Sequence, residues 1–341
     1  MGNPSDGRPG DRDASRPAAD PDPSTVDPAP RRVRDAAPAT VAWALWTTSR
    51  PDQLLLVVTV YALGAVIAVA TGAPLAPDQV VAGVVALLPV AASVHYANEY
   101  ADYETDALTD RTPFSGGSGG LHAARLPRRL ARDAALAAGG LGALVTAWLR
   151  LDGTLPATAA AVLAVVAVLG WEYSLPPLAL AWHGFGEVDN ALLGGLLLPH
   201  YGAAALAGTV ELTVCLAVLP FTALVFVNLL ATQWPDRRAD AAVGKRTLPT
   251  RWSPARLRVA YLVGVAVAFG SLAALWGRVL PPLVAGATLV AFPFVAWGAA
   301  AYTRDGGPFP SVAAMVVVAV AQLLAWAVVA GLPARVAALA G

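Results

Sequence analysis

Nine apolar runs dominate this chain of 341 residues, at about 52–72, 79–97, 130–149, 154–170, 187–208, 211–232, 257–276, 280–301 and 311–331. Each is close to the ~20 residues a helix needs to cross a hydrocarbon layer. Within a bilayer no water is at hand for backbone amides and carbonyls, so such segments fold as helices that satisfy their own hydrogen bonds. The expected fold class is therefore all-α: a polytopic membrane protein whose nine transmembrane helices form a bundle. Composition agrees, with 57% of residues hydrophobic and 13% charged, against about 25% charged in an ordinary soluble domain. The formal net charge is zero, so no global field favours nucleic acid.

Residues 1–40 are of another kind, rich in Pro, Asp, Arg and Ala and without apolar periodicity. They cannot bury enough surface to offset their ordering entropy, which predicts a disordered N-terminal tail followed by a membrane domain over 41–341. Charged and Pro-rich residues occupy the place of a signal peptide's apolar core, and Arg31 and Arg32 precede no apolar run, so neither a signal peptide nor a twin-arginine signal is predicted. Trp43 and Trp46 lie close together ahead of the first run and suggest a short helix in the headgroup region. Of the 23 lysines and arginines, all but Arg150, Arg278 and Arg335 fall on one side of the nine-span topology. The positive-inside rule assigns that side, with the N-terminus, to the cytoplasm of a multi-pass cell-membrane protein.

Two acidic ladders stand at the ends of the second and sixth runs. The first contains Asn98, Asp102, Asp106 and Asp110, the second Asp236 and Asp240. Steps of four residues align side chains along one helical face, where like charges repel. Carboxylates at a membrane edge are costly unless something pairs with them. A divalent cation turns that repulsion into coordination, and Mg2+ takes oxygen ligands while sharing its shell with phosphate oxygens. Two ladders facing each other across a cavity would grip a metal–diphosphate. Arg111, Lys245 and Arg246 follow the ladders closely and can bind a diphosphate in ways a carboxylate cannot. The glycine-rich SGGSGG at 115–120 has no strand before it, so a dinucleotide or P-loop site is a poor reading, and a loop closing over the diphosphate is preferred to a plain flexible linker. His95, His122, His183 and His200 show no ligand spacing, and the single Cys215 reads as a packing residue. Glu187 and Asp189 open the fifth run, where acids suit a helix start or an acceptor site. A cation transporter would repeat its acids at mid-membrane depth; these gather at one face.

The pattern resembles the UbiA-type intramembrane prenyltransferases over nearly all of the chain after residue 40. The first family motif, N-x-x-x-D-x-x-x-D, is matched by Asn98, Asp102 and Asp106; the second, D-x-x-x-D, by Asp236 and Asp240, with a family-like G-K-R-T-L after it. Tyr173 to Glu187 resembles the family's third cytoplasmic element, although Pro177 to Trp182 lacks its usual basic residue and His183 is the nearest substitute. Thr232 stands where relatives commonly carry Asn. The resemblance implies nine helices around a central cavity and Mg2+ as cofactor, with Asp102, Asp106, Asp236 and Asp240 as metal-holding catalytic residues. Asn98, Arg111, Tyr173, Lys245 and Arg246 would bind substrate. It further implies transfer of a polyprenyl group from its diphosphate to an aromatic quinone precursor, such as dihydroxynaphthoate in menaquinone synthesis. Family alternatives are terpene cyclisation and prenylation of glycerol-phosphate lipids.

Overall fold

The computed structural model describes residues 30–109, 111–304 and 307–334. Most of the tail expected over 1–40, together with Asp110 and Arg335, lies outside the described residues. Regular structure begins before the boundary read at 40, with a single 3-10 turn at Val33–Asp35 and helix α1 at Pro38–Thr48. In α1, Trp43 and Trp46 are 49% and 64% exposed while Ala44 is buried, the amphipathic arrangement of a helix lying on a surface.

Eight helical stretches among the described residues are long and apolar enough to cross a membrane. They are α2 (Pro51–Ala70), α3 (Pro77–Asp106), α5 (Arg129–Leu151), α6 (Ala157–Ser174), α10 (Leu212–Ala242), α12 (Pro254–Leu275), the pair α13 (Pro282–Thr288) and α14 (Phe292–Ala301), and α15 (Phe309–Val329). Short helices α4 (Gly120–Ala124), α7 (Leu180–His183) and α11 (Leu248–Arg251) join them, and α8 (Gly186–Asn190) and α9 (Leu198–Ala207) are the two ends of one further continuous helical run between α6 and α10. No strand occurs among the described residues. Leu144, Leu262 and Leu324 stand exposed on outer faces of the bundle, where only lipid would make such exposure favourable.

The fifth apolar run is helical in three consecutive pieces: α8, a π-helical stretch at Ala191–Leu197, and α9. The cause is local. Pro199 has no N–H to give to the carbonyl four residues back, Gly195 O, and the Thr222 hydroxyl of α10 donates to it instead (2.9 Å). A break in a membrane helix persists where a neighbour supplies the missing bond, and α10, the most enclosed of the eight, packs directly on this stretch.

The two long helices matter most for the site. At 30 and 31 residues, α3 and α10 extend about 45 Å, well beyond the ~30 Å hydrocarbon thickness. The surplus carries the acidic ladders, so both ladders ride on helical extensions of their spans. α3 packs on α5 and α6, whereas α10 packs on α12 and α15.

Candidate active site

On α3 the four-residue step works as the spacing predicts. Asn98 Nδ2 donates to Asp102 Oδ2 (2.9 Å) and to Ser174 Oγ at the end of α6 (3.0 Å). Asp106 follows one turn later, half-buried, with its Oδ2 enclosed and without a hydrogen-bond partner.

On α10, Asp240 is buried and Asp236 half-buried, and Asp236 Oδ1 likewise has no partner. The helix ends immediately after the ladder. Gly244, at φ +81°, adopts the left-handed conformation that a glycine tolerates. Lys245 N then bonds Asp240 O (2.9 Å) and Gly244 N bonds Ala241 O (3.2 Å), the pair of bonds of a Schellman cap. This reversal sends the Lys245 side chain back over the ladder. Its Nζ lies 2.9 Å from Asp102 Oδ1 on α3 and 3.7 Å from Asp240 Oδ1 on α10. One ammonium thus bridges two helices whose acids are far apart in sequence. Burial works against charge on Lys245, but the carboxylates of Asp102 and Asp240 outweigh it and hold the ammonium above its ordinary pKa. The Trp182 ring lies 5.8 Å beneath, within cation–π range.

The glycine-rich stretch closes over the same acids. Gly117, at φ +67°, passes so close to the Asp106 carboxylate that any Cβ would overlap it. The Gly116 backbone interacts with Asp236, so one loop touches both ladders. The exposed Arg111 lays its guanidinium against Gly119. Ser118 anchors the loop: its N–H and Oγ donate to Glu99 at 3.2 and 2.6 Å. Glu99 is buried and also meets Arg50 (3.4 Å), at the junction of α1 and α2.

Tyr173 is half-buried and interacts electrostatically with Lys245 and Asp102. Arg246 is exposed, and its backbone N–H bonds Trp182 O (3.0 Å). Leu248 N donates to the buried Glu187 Oε1 (2.9 Å), which ties the 245–248 segment to α8. His183 turns its Nδ1 to the carbonyls of Leu178 and Ala179 (2.8 and 3.0 Å). His95 is likewise occupied by Ser49 O (2.7 Å).

The structure therefore gathers Asn98, Asp102, Asp106, Asp236, Asp240, Lys245 and Tyr173 at one end of the bundle, with Arg111 over the loop and Arg246 at the exposed rim. Glu99 escaped the sequence reading because it is one position off the ladder and its partners lie 19 and 49 residues away. Four ladder carboxylates face a single ammonium. Carboxylate excess in an enclosed site is unfavourable without a cation. Among the described residues, no three acidic, histidine or cysteine side chains already stand close enough to hold one metal ion.

A family model for the UbiA prenyltransferase family matches residues 55–308, which include both ladders, the glycine-rich loop and Lys245. The chain belongs to the UbiA prenyltransferase family. It is accordingly a prenyltransferase and a multi-pass membrane protein. Solved structures share the UbiA fold at low identity. A UbiA homologue from Archaeoglobus fulgidus bound to GPP and Mg2+ has a TM-score of 0.65 and 18% identity, over 84% of this chain and 99% of that one. The same homologue bound to DMAPP and Mg2+ gives 0.63 and 16%, with the same coverage. A digeranylgeranylglyceryl phosphate synthase gives 0.59 and 12%, over 85% and 98%. No curated protein sequence matches the chain.

Proposed function

We propose that this UbiA-family protein moves a polyprenyl group from its diphosphate to an aromatic quinone precursor of the dihydroxynaphthoate type. A Mg2+-bound diphosphate would be held between the ladders. The observation that carries this reading is the pair of enclosed carboxylate oxygens without partners, Asp106 Oδ2 on α3 and Asp236 Oδ1 on α10, one on each side of the Lys245 bridge. All the free donors are hard oxygens, the set that suits Mg2+. Mg2+ commonly completes its shell with water and phosphate oxygens, so the ladders need supply only part of it. The A. fulgidus homologue's GPP and Mg2+ support the same assignment by analogy.

Asp102, Asp106, Asp236 and Asp240 would hold the ion, with Asn98 orienting Asp102. When bound, the metal ion neutralises charge on the diphosphate and improves it as a leaving group. Lys245 presents a fixed positive charge where the departing oxygen gathers its electron pair. Arg111 and the Gly116–Gly117 backbone line the lid, and Arg246 lies at the solvent side. As the bond from allylic carbon to diphosphate oxygen breaks, that electron pair leaves with the diphosphate. An electron-rich ring carbon of the acceptor forms the new carbon–carbon bond, and the ring proton passes to solvent. Tyr173 offers its ring face to the allylic cation, and the apolar helices exclude water from it. The arginine-rich flanks support placing the N-terminus and both ladders at the cytoplasmic face of the cell membrane.

Membranes containing the protein, fed geranylgeranyl diphosphate with and without dihydroxynaphthoate, test the acceptor. The expected result is a prenylated naphthoate that forms only with Mg2+ and the acceptor. A hydrocarbon formed without acceptor, or product only with a glycerol-phosphate lipid, would overturn the quinone-precursor assignment while leaving the ionising site intact.

A further inference from the structure

Away from the ladders, the junction between the N-terminal segment and α5 collects arginines in a way that membrane topology alone does not demand. A shallow cavity of about 630 Å3 is lined by Arg32, Val33, Arg34, Arg129, Leu130 and Asp133. Arg31, Arg128 and Arg132 are chain neighbours of these residues, and Arg125 is tied to Arg31. Two stretches nearly a hundred residues apart are held there by a backbone bond from Arg31 N to Arg125 O (2.8 Å) and by apolar packing of Ala36 and Val41 against Leu121, Leu126 and Ala131. The acids nearby are already engaged: Asp133 with Arg132 (2.8 Å), Glu104 with Arg128 (3.1 Å) and Asp35 with Arg34 (3.7 Å). Seven arginines therefore meet three carboxylates.

The helix end sharpens the point. α5 begins with Arg128 at its N-cap and Arg129 in its first turn, with no acidic residue in that turn and no side chain capping it. Cations oppose the positive end of a helix dipole, whereas an anion there is stabilised. Below the cavity, α5 exposes Leu136, Leu141, Leu144 and Trp148, and it is the least buried of the eight spanning helices. Beside it, α1 presents Trp43 and Trp46, residues that favour the headgroup layer.

We propose that this cavity is a binding site for the phosphate headgroup of an anionic phospholipid, with the acyl chains along the exposed apolar face of α5. A basic pocket continuous with a bare helix face matches a lipid, whereas a soluble phosphate would have no use for the leucines beneath. The site stands independently of the prenyl-transfer reading.

Native mass spectrometry of the full chain in detergent, titrated with phosphatidylglycerol or phosphatidylcholine, tests it. The wild type should retain phosphatidylglycerol at least about tenfold better. At about fivefold per arginine, Arg32→Gln/Arg129→Gln should weaken that binding on the order of 30-fold. Arg32→Lys/Arg129→Lys should stay within about threefold of wild type, since the charges persist. Arg256→Gln/Arg258→Gln, at the start of α12, removes equal charge from elsewhere and should cost less than about threefold. Equal losses in the two glutamine pairs, or no preference in the wild type, would overturn the site. Displacement of the lipid by equimolar inorganic pyrophosphate would assign the cavity to a soluble phosphate instead.

Discussion

The two ladders have the same spacing but are held in place differently. The α10 ladder is organised by its own neighbours: the Gly244 cap and the return of Lys245 lie within five residues of Asp240. The α3 ladder depends on distant chain. Asn98 reaches Ser174, Glu99 holds Ser118 and Arg50, and Asp106 lies under Gly117. One arm is thus set by local rules that act wherever the helix ends, while the other takes shape only when α1, α6 and the glycine-rich loop have packed. Damage near the α10 arm should therefore move charge directly, and damage around the α3 arm should loosen a lid.

The largest effects should strike both arms equally. Asp102→Ala and Asp236→Ala are each expected to lower turnover roughly 10³-fold, with unchanged protein in the membrane fraction by immunoblot. Normal turnover in either variant would break the symmetry of the two arms. Lys245→Met comes next, with a loss of roughly 10²-fold in kcat/KM, because it removes the one cation shared by the arms. Without Mg2+ it should also destabilise the fold by about 3 kcal/mol, since Asp102 and Asp240 stay enclosed with no counter-charge. Thermal unfolding with and without Mg2+ reads this directly, and added Mg2+ should restore much of the loss.

Glu99→Gln separates the arms. It should raise KM for the prenyl diphosphate about tenfold and change kcat little, because it frees the loop while all four ladder carboxylates stay in place. A kcat loss as large as that of Lys245→Met would place Glu99 among the reacting groups instead. The smallest effect is expected for His183→Ala, within about twofold of wild-type turnover, as its ring bonds only nearby carbonyls.

The same contrast explains what could be read in advance. Apolar run length identified the membrane helices because bilayer thickness leaves little choice. Four-residue spacing located Asn98, Asp102, Asp106, Asp236 and Asp240 because helix geometry fixes which side chains align. The Gly-Lys pair after α10 also carried a readable signal, since a glycine just past a helix end favours a reversal. By contrast, the π-helical stretch at Ala191–Leu197 depends on Thr222 replacing a donor that Pro199 lacks, and the loop anchor depends on a single carboxylate, Glu99, meeting Ser118 and Arg50 from two other segments. Tertiary contacts of this kind leave no periodic trace. His183 illustrates the converse: its type suited a phosphate site, but the turn at Leu178 and Ala179 claims its ring nitrogen.

The central claim is that both arms hold one ligand together. Calorimetric binding of inorganic pyrophosphate in the presence of Mg2+ should be measured for wild type, Asp106→Asn, Asp236→Asn and the double variant. If the two oxygens serve one site, the double variant should bind at least about tenfold more tightly than the product of the single losses would give, a coupling of about 1.4 kcal/mol. Strictly additive losses would mean that the two acids act on separate ligands, and would contradict the shared site.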